Sequence, residues 1–453
     1  MNLLLLLIFT PLVMAIPVYL LRRYWTVAVF TSLGTILSLI AICSQTPLDE
    51  PSYIMGRELV LGDFSRALVM FLLSLASLMI LYTWRVPQGW AFSPSLLAIL
   101  GLLSAAIMIR TFLIAVLLFE MAGLIFVFMV HGRRPAPLGT AIGYVVPLVI
   151  ATPCLLMVSW LTESYALNPD NLLLIRFTVI ALSLGFGILL GAAPLHSWLP
   201  SVAGGAPSMA SATLICILST TVLALLLGVL NIHPWLITDS PILSIIYLSG
   251  LLTALVGGVL AFAQRQPGWL LGYAAIADTG FVLVGLGTGS LTGVTGALAH
   301  LVNRSLMILL ITMSMGTLSV YLKEGTVSTL REALRHTPGS IIGYTVGGLA
   351  LGGFPPFNGF ATRWLIYRSL PGDDLIYQGA LLLAGVGVVL GYVRSLTLML
   401  RPSAKVAAER EPLLLTVMTL SLAALCLLLG LVPGLIVEPL LDIVQRMAFI
   451  RGG

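Results

Sequence analysis

The feature that most constrains this chain is a succession of apolar runs, each about 20 residues long, with short polar breaks between them. Of its 453 residues, 59% are hydrophobic and only 9% are charged, and the mean hydropathy is +1.09. Soluble globular domains carry about 25% charged residues, so this chain lacks the polar side chains that cover a water-facing surface. Runs of this length cross hydrocarbon as helices, whereas a membrane barrel is built from short alternating segments. The sequence therefore predicts an all-α polytopic membrane protein.

Charges, Pro/Gly clusters and polar breaks divide the chain into fourteen apolar segments, each a predicted transmembrane helix. The predicted spans are 2–21, 25–44, 65–84, 92–109, 111–131, 139–161, 175–193, 208–230, 241–263, 269–288, 291–320, 340–370, 376–400 and 413–437. Between the second and third spans, the alternating stretch "RELVLGDF" predicts a small hairpin at the membrane surface.

Loop charge predicts the orientation of these helices. The loops after odd-numbered helices hold the basic residues Arg22, Arg23, Arg85, Arg133, Arg134, Arg265, Lys323, Arg331, Arg335, Arg401, Lys405 and Arg410. The loops after even-numbered helices hold mostly acidic residues. By the positive-inside rule, the odd loops are cytoplasmic. We therefore expect a multi-pass protein of the cell inner (plasma) membrane with both termini on the outer (periplasmic) side.

Two segments rich in proline and glycine interrupt the apolar pattern. The first, "GAAPLHSWLPSVAGGAPSMASATL", contains Pro194, Pro200 and Pro207, and the second, "LALGGFPPFNGFATRW", contains Pro355, Pro356 and Gly359. These residues do not fit one continuous helix. Two interrupted helices at corresponding positions of two halves indicate an inverted-repeat architecture.

The predicted division of the chain follows from these breaks. Residues 1–91 form helices 1–3, residues 92–230 form a first five-helix repeat (helices 4–8), residues 241–400 form a second, inverted five-helix repeat (helices 9–13), and residues 401–453 form helix 14 and a tail. The broken helices are then the seventh and the twelfth.

Several ionisable residues are predicted to lie at membrane depth, where charges are costly and mark a pathway or a pair. Glu120 lies near the centre of the fifth helix, and Asp278 lies in the tenth. His300 and Arg304, four residues apart, share one face of the eleventh. These groups predict a buried proton pathway, with a static Asp–Arg bridge and a structural hydrogen bond of Glu120 as the alternatives.

Two further residues adjoin the interrupted segments. His196 follows Pro194, and its type and place fit a proton carrier and a hydrogen-bonded spacer equally well. Arg363 follows the second break and is expected to be a fixed counter-charge, because arginine keeps its proton at any pH a protein meets.

No cofactor or metal site is expected from the sequence. The four cysteines are far apart and form no C-x-x-C pair, so their spacing argues against a metal or iron–sulfur site. No nucleotide, quinone or haem motif is present in the sequence. The net charge of +5 is spread over loops and does not indicate nucleic-acid binding. The chain is expected to hold no catalytic residue for redox chemistry of its own.

Four motifs together resemble one family. "PLHSWLPSVAGGAPSMASATL", "LLGYAAIADTGF", "GALAHLVNRSLMILL" and "LALGGFPPFNGFATRW" are similar to segments of the antiporter-like, proton-translocating subunits of respiratory complex I, a family that includes Mrp cation/proton antiporter subunits and membrane subunits of energy-converting hydrogenases. The resemblance implies two half-channels joined by a polar axis. It places Glu120 at the glutamate of the fifth helix and His300 at the histidine of an H-x-x-x-K segment.

The chain departs from the family pattern at its lysines. The position of the seventh-helix lysine is Leu189, and the position of a basic residue in the eighth helix reads near Ser219. Arg304 and Arg363 stand where the family has titratable residues of helices 11 and 12. Since arginine does not titrate, the family mechanism does not transfer intact, and the two arginines are expected to be fixed counter-charges.

These observations favour a membrane-arm subunit of a complex I-like assembly that conducts protons through Glu120, Asp278, His300 and His196. The open alternatives are an Mrp-type antiporter subunit, in which sodium also binds, a membrane partner of a bicarbonate- or CO2-uptake complex, and a non-conducting subunit that has lost the lysines. In each case the expected partners are other membrane subunits and the lipid bilayer.

Overall fold

The structure is a computed structural model that describes residues 3–54, 56–131, 138–169, 171–321, 334–370, 372, 375–399 and 410–451. The helices are α1 (Leu3–Leu20), α2 (Trp25–Gln45), α3 (Asp63–Thr83), α4 (Phe92–Met108), α5 (Phe112–Val130), α6 (Leu138–Leu167), α7 (Leu172–Leu190), α8 (Trp198–Gly205), α9 (Ser208–Ala212), α10 (Ser219–Ile232), α11 (Trp235–Thr238), α12 (Ile242–Ala263), α13 (Pro267–Gly287), α14 (Leu291–Tyr321), α15 (Pro338–Leu351), α16 (Asn358–Ser369), α17 (Leu375–Met399), α18 (Leu413–Leu431), α19 (Gly434–Val444) and α20 (Ala448–Arg451). A 3-10 turn (Leu21–Arg23) follows α1, a π-helical turn (Thr213–Leu218) joins α9 to α10, and β1 (Ser52–Ile54) pairs antiparallel with β2 (Arg57–Leu59).

The described helices confirm a helical, multi-pass membrane protein. Twelve of them are long and apolar enough to cross a membrane, and they match twelve of the fourteen predicted spans. The predicted fourth span is α4, which at 17 residues is slightly shorter. The predicted twelfth span, 340–370, is divided into α15 and α16. The assignment of these helices to two inverted repeats stays a prediction.

The described chain forms two compact units. The first comprises 1–190 and 216–240, and the second comprises 191–215 and 241–453. In the first unit, α4 packs against α1 and α5, and α6 packs against α5 and α7. Nearly every residue of α4 is buried, as expected for a helix that is apolar on all sides.

The polar stretch after α2 forms the only strand pair among the described residues. It is the predicted hairpin, but "RELVLGDF" contributes only its second strand, because Ser52–Ile54 supplies the first. The hairpin is joined to the end of α4 by two backbone bonds, from Val60 N to Met108 O and from Arg110 N to Glu58 O.

In the second unit, α13 and α14 are the central helices. In the most apolar stretch of α13 and of α14, 94% of the residues are buried. The corresponding fractions are 44% for α12 and 39% for α17. α12 and α13 approach closely at small residues: a Cβ added at Gly280 meets the backbone of Ala254, and one at Gly257 meets the backbone of Ala277. Small residues at such contacts permit the close backbone approach that stabilises helix pairs in membranes.

The helix ends at the two breaks have glycine in a left-handed conformation. Gly191 (φ 62°) follows the last residue of α7, and Gly353 (φ 80°) lies just past α15. After α15, Gly353 N donates to Ala350 O at 2.9 Å and Phe354 N donates to Leu349 O at 3.0 Å. This bond pair is the Schellman motif, which favours glycine because a Cβ disfavours positive φ.

α15 also has an acidic residue at its N-terminus. Glu411 is largely buried, and its carboxylate accepts hydrogen bonds from Gly339 N and Ser340 Oγ, both at 2.6 Å. A carboxylate at this position satisfies free N–H groups and complements the positive end of the helix dipole.

Candidate functional site

Asp278 is the centre of a fully buried charged cluster in the second unit. It lies mid-way along α13 and is 0% exposed. Its Oδ1 accepts hydrogen bonds from His300 Nε2 at 2.9 Å and from Arg363 Nη2 at 3.0 Å. Its Oδ2 lies 3.5 Å from Arg304 Nε. One carboxylate therefore holds together basic side chains from two other helices, α14 and α16. We call these four residues the Asp278 cluster.

Arg363 connects this cluster to the end of α15. Its Nη1 donates to Gly352 O at 2.8 Å and its Nη2 donates to Leu351 O at 2.6 Å. These carbonyls belong to the last turn of α15, which leaves backbone acceptors without intrahelical partners. The guanidinium also stacks on Phe281, 3.8 Å from the ring centroid. Arg363 thus caps a helix C-terminus, where a cation is favoured by the helix dipole, and pairs with Asp278 at once.

Arg304 lies deeper among the helices, with its side chain 1% exposed. Its Nη2 donates to Thr279 Oγ1 at 2.9 Å and to Ala275 O at 3.4 Å, both on α13. Its charge is therefore held against the same helix that carries Asp278.

His300 is enclosed between Asp278 and the start of α16. While Nε2 faces Asp278, Nδ1 lies 2.8 Å from Thr362 Oγ1. The Thr362 hydroxyl also lies 3.1 Å from Asn358 O, one turn earlier in α16. Both ring nitrogens are thus engaged inside the protein.

Two buried amides extend the polar region beyond Thr362. Asn303 Nδ2 donates to Asn358 O at 3.1 Å. Asn303 Oδ1 and both amide atoms of Asn358 have no hydrogen-bond partner among the described residues, and both side chains are essentially unexposed. Buried polar atoms in proteins are nearly always paired with protein or with water. The start of α16 is therefore a polar region inside an apolar helix bundle.

The Asp278 cluster carries more positive than negative charge. Two guanidinium groups are permanently charged, and both lie within salt-bridge distance of the single carboxylate of Asp278. The C-terminus of α15 adds a partial negative charge of roughly one half. A positive charge on His300 would therefore add to a site that is already positive, and the Asp278 carboxylate lies directly against it.

The structure brings together four of the residues that the sequence singled out: Asp278, His300, Arg304 and Arg363. It places His196 elsewhere in the second unit, half-buried, with its ring 6.3 Å from that of Tyr273 and its Nδ1 without a partner in the described chain. His196 has no hydrogen bond to the cluster among those described.

Glu120 lies in the first unit, as the ninth of the 19 residues of α5. It is half-buried, and no hydrogen bond or ion pair joins it to a residue that the structure describes. Leu189 and Ser219, at the positions where the resemblance predicts basic residues, are both buried. Glu120 as a proton carrier stays a prediction.

The proline and glycine residues of the two interrupted segments lie at and near the helix ends. Pro194 lies between α7 and α8, Pro200 lies inside α8, and Pro207 directly precedes α9. Pro355 and Pro356 lie between α15 and α16. The Ala193–Pro194 and Pro355–Pro356 peptide bonds are both cis.

Gly359 lies in the first turn of α16. A Cβ at this position meets Ala350 O, so glycine allows the start of α16 to approach the end of α15. The residue therefore acts in helix packing at the break.

Sequence reasoning missed the uncharged partners of the cluster: Thr279, Phe281, Asn303, Asn358 and Thr362. Their types are ordinary in helices, and only the crossing of α13, α14 and α16 brings them to the charged groups. Thr362 had one signal, its place directly before Arg363 in "FATRW". For metals, the described residues contain no group of three or more His, Cys, Asp or Glu side chains placed to hold an ion.

Comparison with known proteins identifies the family. The model of the family described as "NADH:quinone oxidoreductase/Mrp antiporter, TM" matches residues 157–391. The chain belongs to this family. The matched region covers α7 to most of α17 and contains the whole Asp278 cluster.

Among curated proteins, the chain is 29% identical over 355 residues to formate hydrogenlyase subunit 3 of Escherichia coli strain K12, covering 70% of this chain and 56% of that protein. It is 30% identical over 290 residues to NADH-quinone oxidoreductase subunit N 2 of Acidobacterium capsulatum, covering 60% of this chain and 58% of that protein. The chain therefore spans little more than half the length of these relatives.

Solved structures share the fold. A chain of the Mrp complex from Dietzia sp. DQ12-45-1b superposes with a TM-score of 0.85 over 98% of this chain and 52% of that chain, at 19% identity. A chain of the archaeal membrane-bound sulfane sulfur reductase superposes with a TM-score of 0.85 over 100% of this chain and 99% of that chain, at 17% identity. A chain of respiratory complex I from Thermus thermophilus gives 0.81 over 99% of this chain and 100% of that chain, at 18% identity.

Proposed function

We propose that this protein conducts protons as a membrane subunit of a larger ion-translocating assembly, with Asp278 and His300 as the titratable pair. The observation that carries the proposal is the fully buried contact between them, flanked by two arginines, in helices long enough to cross a membrane. Ionisable residues inside a membrane domain typically mark proton relays when they face the bundle interior. Membership of a family described by quinone oxidoreductases and antiporters supports the same function.

In this proposal the histidine, the carboxylate and the two arginines of the cluster have different chemical roles. His300 gains and loses the proton, since imidazole is the side chain that changes charge near neutral pH. Asp278 stays a carboxylate and stabilises the imidazolium. Arg304 and Arg363 are fixed counter-charges that keep Asp278 ionised, because opposite charges within about 4–6 Å favour the charged form.

The charge of the cluster favours protons over sodium. Sodium needs several oxygen ligands and a net negative site, whereas here two guanidiniums already surround one carboxylate. A bound cation would lie against both arginines without a second acid to offset it. This argument bears on the Asp278 cluster alone, and it favours the proton-conducting hypothesis over cation binding there.

We further propose the setting of the protein: the cell inner membrane, with both termini on the outer side, as the loop charges indicate. The partners are other membrane subunits. Relatives named as subunits of formate hydrogenlyase and NADH-quinone oxidoreductase support an assembly with a redox enzyme, which would hold the cofactors.

The test is proton translocation by the assembled complex. The tagged protein is purified with its native partners, reconstituted into vesicles, and followed with a pH-sensitive dye while the partner enzyme turns over. We expect His300→Gln and Asp278→Asn to abolish proton movement while the complex still assembles. His300→Gln leaves the Asp278–arginine ion pairs in place, whereas Asp278→Asn leaves two buried guanidiniums without their carboxylate, which is destabilising. Assembly is therefore measured for both variants, and His300→Gln is the decisive one.

A matched control comes from another buried polar residue of α14. Thr312 is 0% exposed and donates only to carbonyls of its own helix among the described residues. Thr312→Val is expected to leave translocation unchanged. Wild-type translocation by both His300→Gln and Asp278→Asn would show that the cluster is a static bridge, as in the non-conducting hypothesis that the absent lysines at Leu189 and Ser219 favour.

A further inference from the structure

We propose that Thr362 is a positioning residue for the proton on His300. Its hydroxyl donates to His300 Nδ1 when the imidazole is neutral and turns to donate to Asn358 O when the imidazole is protonated. This inference rests on the proposed function only in that His300 is taken to gain and lose a proton. Its geometry stands on the described contacts of three residues.

The tautomer of neutral His300 follows from its neighbours. Asp278 Oδ1 accepts from Arg363 Nη2 at 3.0 Å and lies 2.9 Å from His300 Nε2. An ionised carboxylate has only acceptor sites, so Nε2 carries the hydrogen. In the neutral ring the other nitrogen is then an acceptor. Nδ1 therefore requires a donor, and the donor within reach is the Thr362 hydroxyl at 2.8 Å.

The Thr362 hydroxyl has one hydrogen and two good acceptors. Besides His300 Nδ1, it lies 3.1 Å from Asn358 O, and Gly359 O is a more distant acceptor at 3.4 Å. It donates to only one of them at a time. When a proton adds to the lone pair of Nδ1, that nitrogen becomes a donor and Thr362 Oγ1 becomes its acceptor. The hydroxyl hydrogen then points to Asn358 O, the nearer of the two backbone acceptors, which requires rotation about the Cβ–Oγ1 bond and no movement of the side chain.

The surroundings of Asn358 fit this second state. Its carbonyl oxygen already accepts from Asn303 Nδ2 at 3.1 Å, and a carbonyl has a second lone pair for Thr362. The protonated state therefore leaves every group of the set bonded: Nε2–H to Asp278, Nδ1–H to Thr362, and the Thr362 hydroxyl to Asn358. A carbonyl with no room for another donor would have opposed the rotation.

The charged groups near His300 do not compete for Nδ1. Asp278 lies on the Nε2 side, and Arg304 and Arg363 are turned to α13 and the end of α15. Other titratable residues occur on the helices that pack against α14. They are Tyr273 on α13, Tyr344 on α15, Tyr367 and Arg368 on α16, Cys426 on α18, and Glu438 and Asp442, both exposed, on α19. None of them is hydrogen-bonded to His300 in the described chain.

The experiment compares Thr362→Val, Thr362→Ser and Thr312→Val in the complete complex. Valine has the shape of threonine without the hydroxyl, and serine keeps the hydroxyl. We expect Thr362→Val to slow proton translocation about tenfold, the factor that one charge-assisted hydrogen bond supplies, and to shift its pH profile. Thr362→Ser and Thr312→Val are expected to behave as wild type. Thr362→Ala serves as a second variant if valine impairs assembly.

A second readout does not depend on conduction. The complex is labelled with ¹⁵N-histidine, and the Nδ1 and Nε2 shifts of His300 are assigned by comparison with His300→Gln and followed by solid-state NMR from acid to alkaline pH. We expect a neutral ring with hydrogen on Nε2 in the wild type, and a changed Nδ1 shift in Thr362→Val that Thr362→Ser restores.

The outcomes separate the two proposals. If His300→Gln abolishes translocation while Thr362→Val has a wild-type rate, pH profile and Nδ1 shift, the role of Thr362 is wrong and the proton pathway stands. If His300→Gln conducts normally, the proposed function is wrong. The Nδ1 shift then still decides whether Thr362 follows the protonation state of His300.

Discussion

At the residue scale, Arg363 shows how one side chain can both cap a helix and pair with a buried carboxylate. Its guanidinium donates to Leu351 O, Gly352 O and Asp278 Oδ1, and it stacks on Phe281. The planar fork of arginine reaches several acceptors in fixed directions, whereas the lysine ammonium is a compact point charge that does not stack in the same way. The two cations are therefore not equivalent at this position.

We expect Arg363→Lys to be damaging although it keeps the charge. Each lost hydrogen bond to a charged group costs about 1.5–3 kcal/mol of stability, and the carbonyls at the end of α15 lose their cap. The prediction is a lower melting temperature of the purified complex together with reduced translocation, measured by scanning fluorimetry and the vesicle assay. Arg368→Lys, near the exposed end of α16, is the matched control. Equal behaviour of the two variants would mean that Arg363 acts through its charge alone.

At the element scale, the position of Asp278 depends on how closely α13 packs against α12. A Cβ at Gly280, two residues after Asp278, meets the backbone of Ala254. Backbone does not yield as a flexible side chain does, so we expect Gly280→Ala to separate the helices and destabilise the protein by about 1–3 kcal/mol. Gly379 of α17 has nothing within 4 Å of an added Cβ, and Gly379→Ala should be neutral. Thermal melts of both variants measure the difference; a Gly280→Ala melt at the wild-type temperature would contradict it.

The helices also show which features of the fold and the site the sequence could predict and why it could not predict the others. Apolar runs of membrane length predicted twelve long helices, because hydrocarbon requires that length, although the predicted ends of α6 and α18 differ from the observed ones by six residues. The charged residues at membrane depth predicted Asp278, His300, Arg304 and Arg363, because a buried charge requires a partner. The sequence did not predict the contacts of Thr362 or of the last carbonyls of α15, because these contacts arise only where the helices cross. A threonine or a backbone oxygen carries no signal of which helix lies beside it.

At the scale of the whole molecule, the family fold is present, while the resemblance predicts lysines at positions where this chain has other residues. Buried Leu189 and Ser219 stand at two of the expected positions, and Arg304 and Arg363 stand at two expected titratable positions. Lysine titrates when burial lowers its pKa, but arginine does not. In the second unit, Asp278 and His300 form a fully buried acid–imidazole contact. In the first unit, Glu120 is the acid at membrane depth.

The whole-molecule prediction concerns Glu120, which the sequence placed on the proton pathway. If conduction requires this carboxyl, Glu120→Gln should abolish translocation by the assembled complex, since glutamine neither binds nor releases a proton in this range. Because Glu120 has no described hydrogen bond or ion pair, the same change should leave assembly and melting temperature as in the wild type. Glu163, near the end of α6, provides the matched control as Glu163→Gln. Full translocation by Glu120→Gln together with none by His300→Gln would confine the proton pathway to the second unit and remove Glu120 from it.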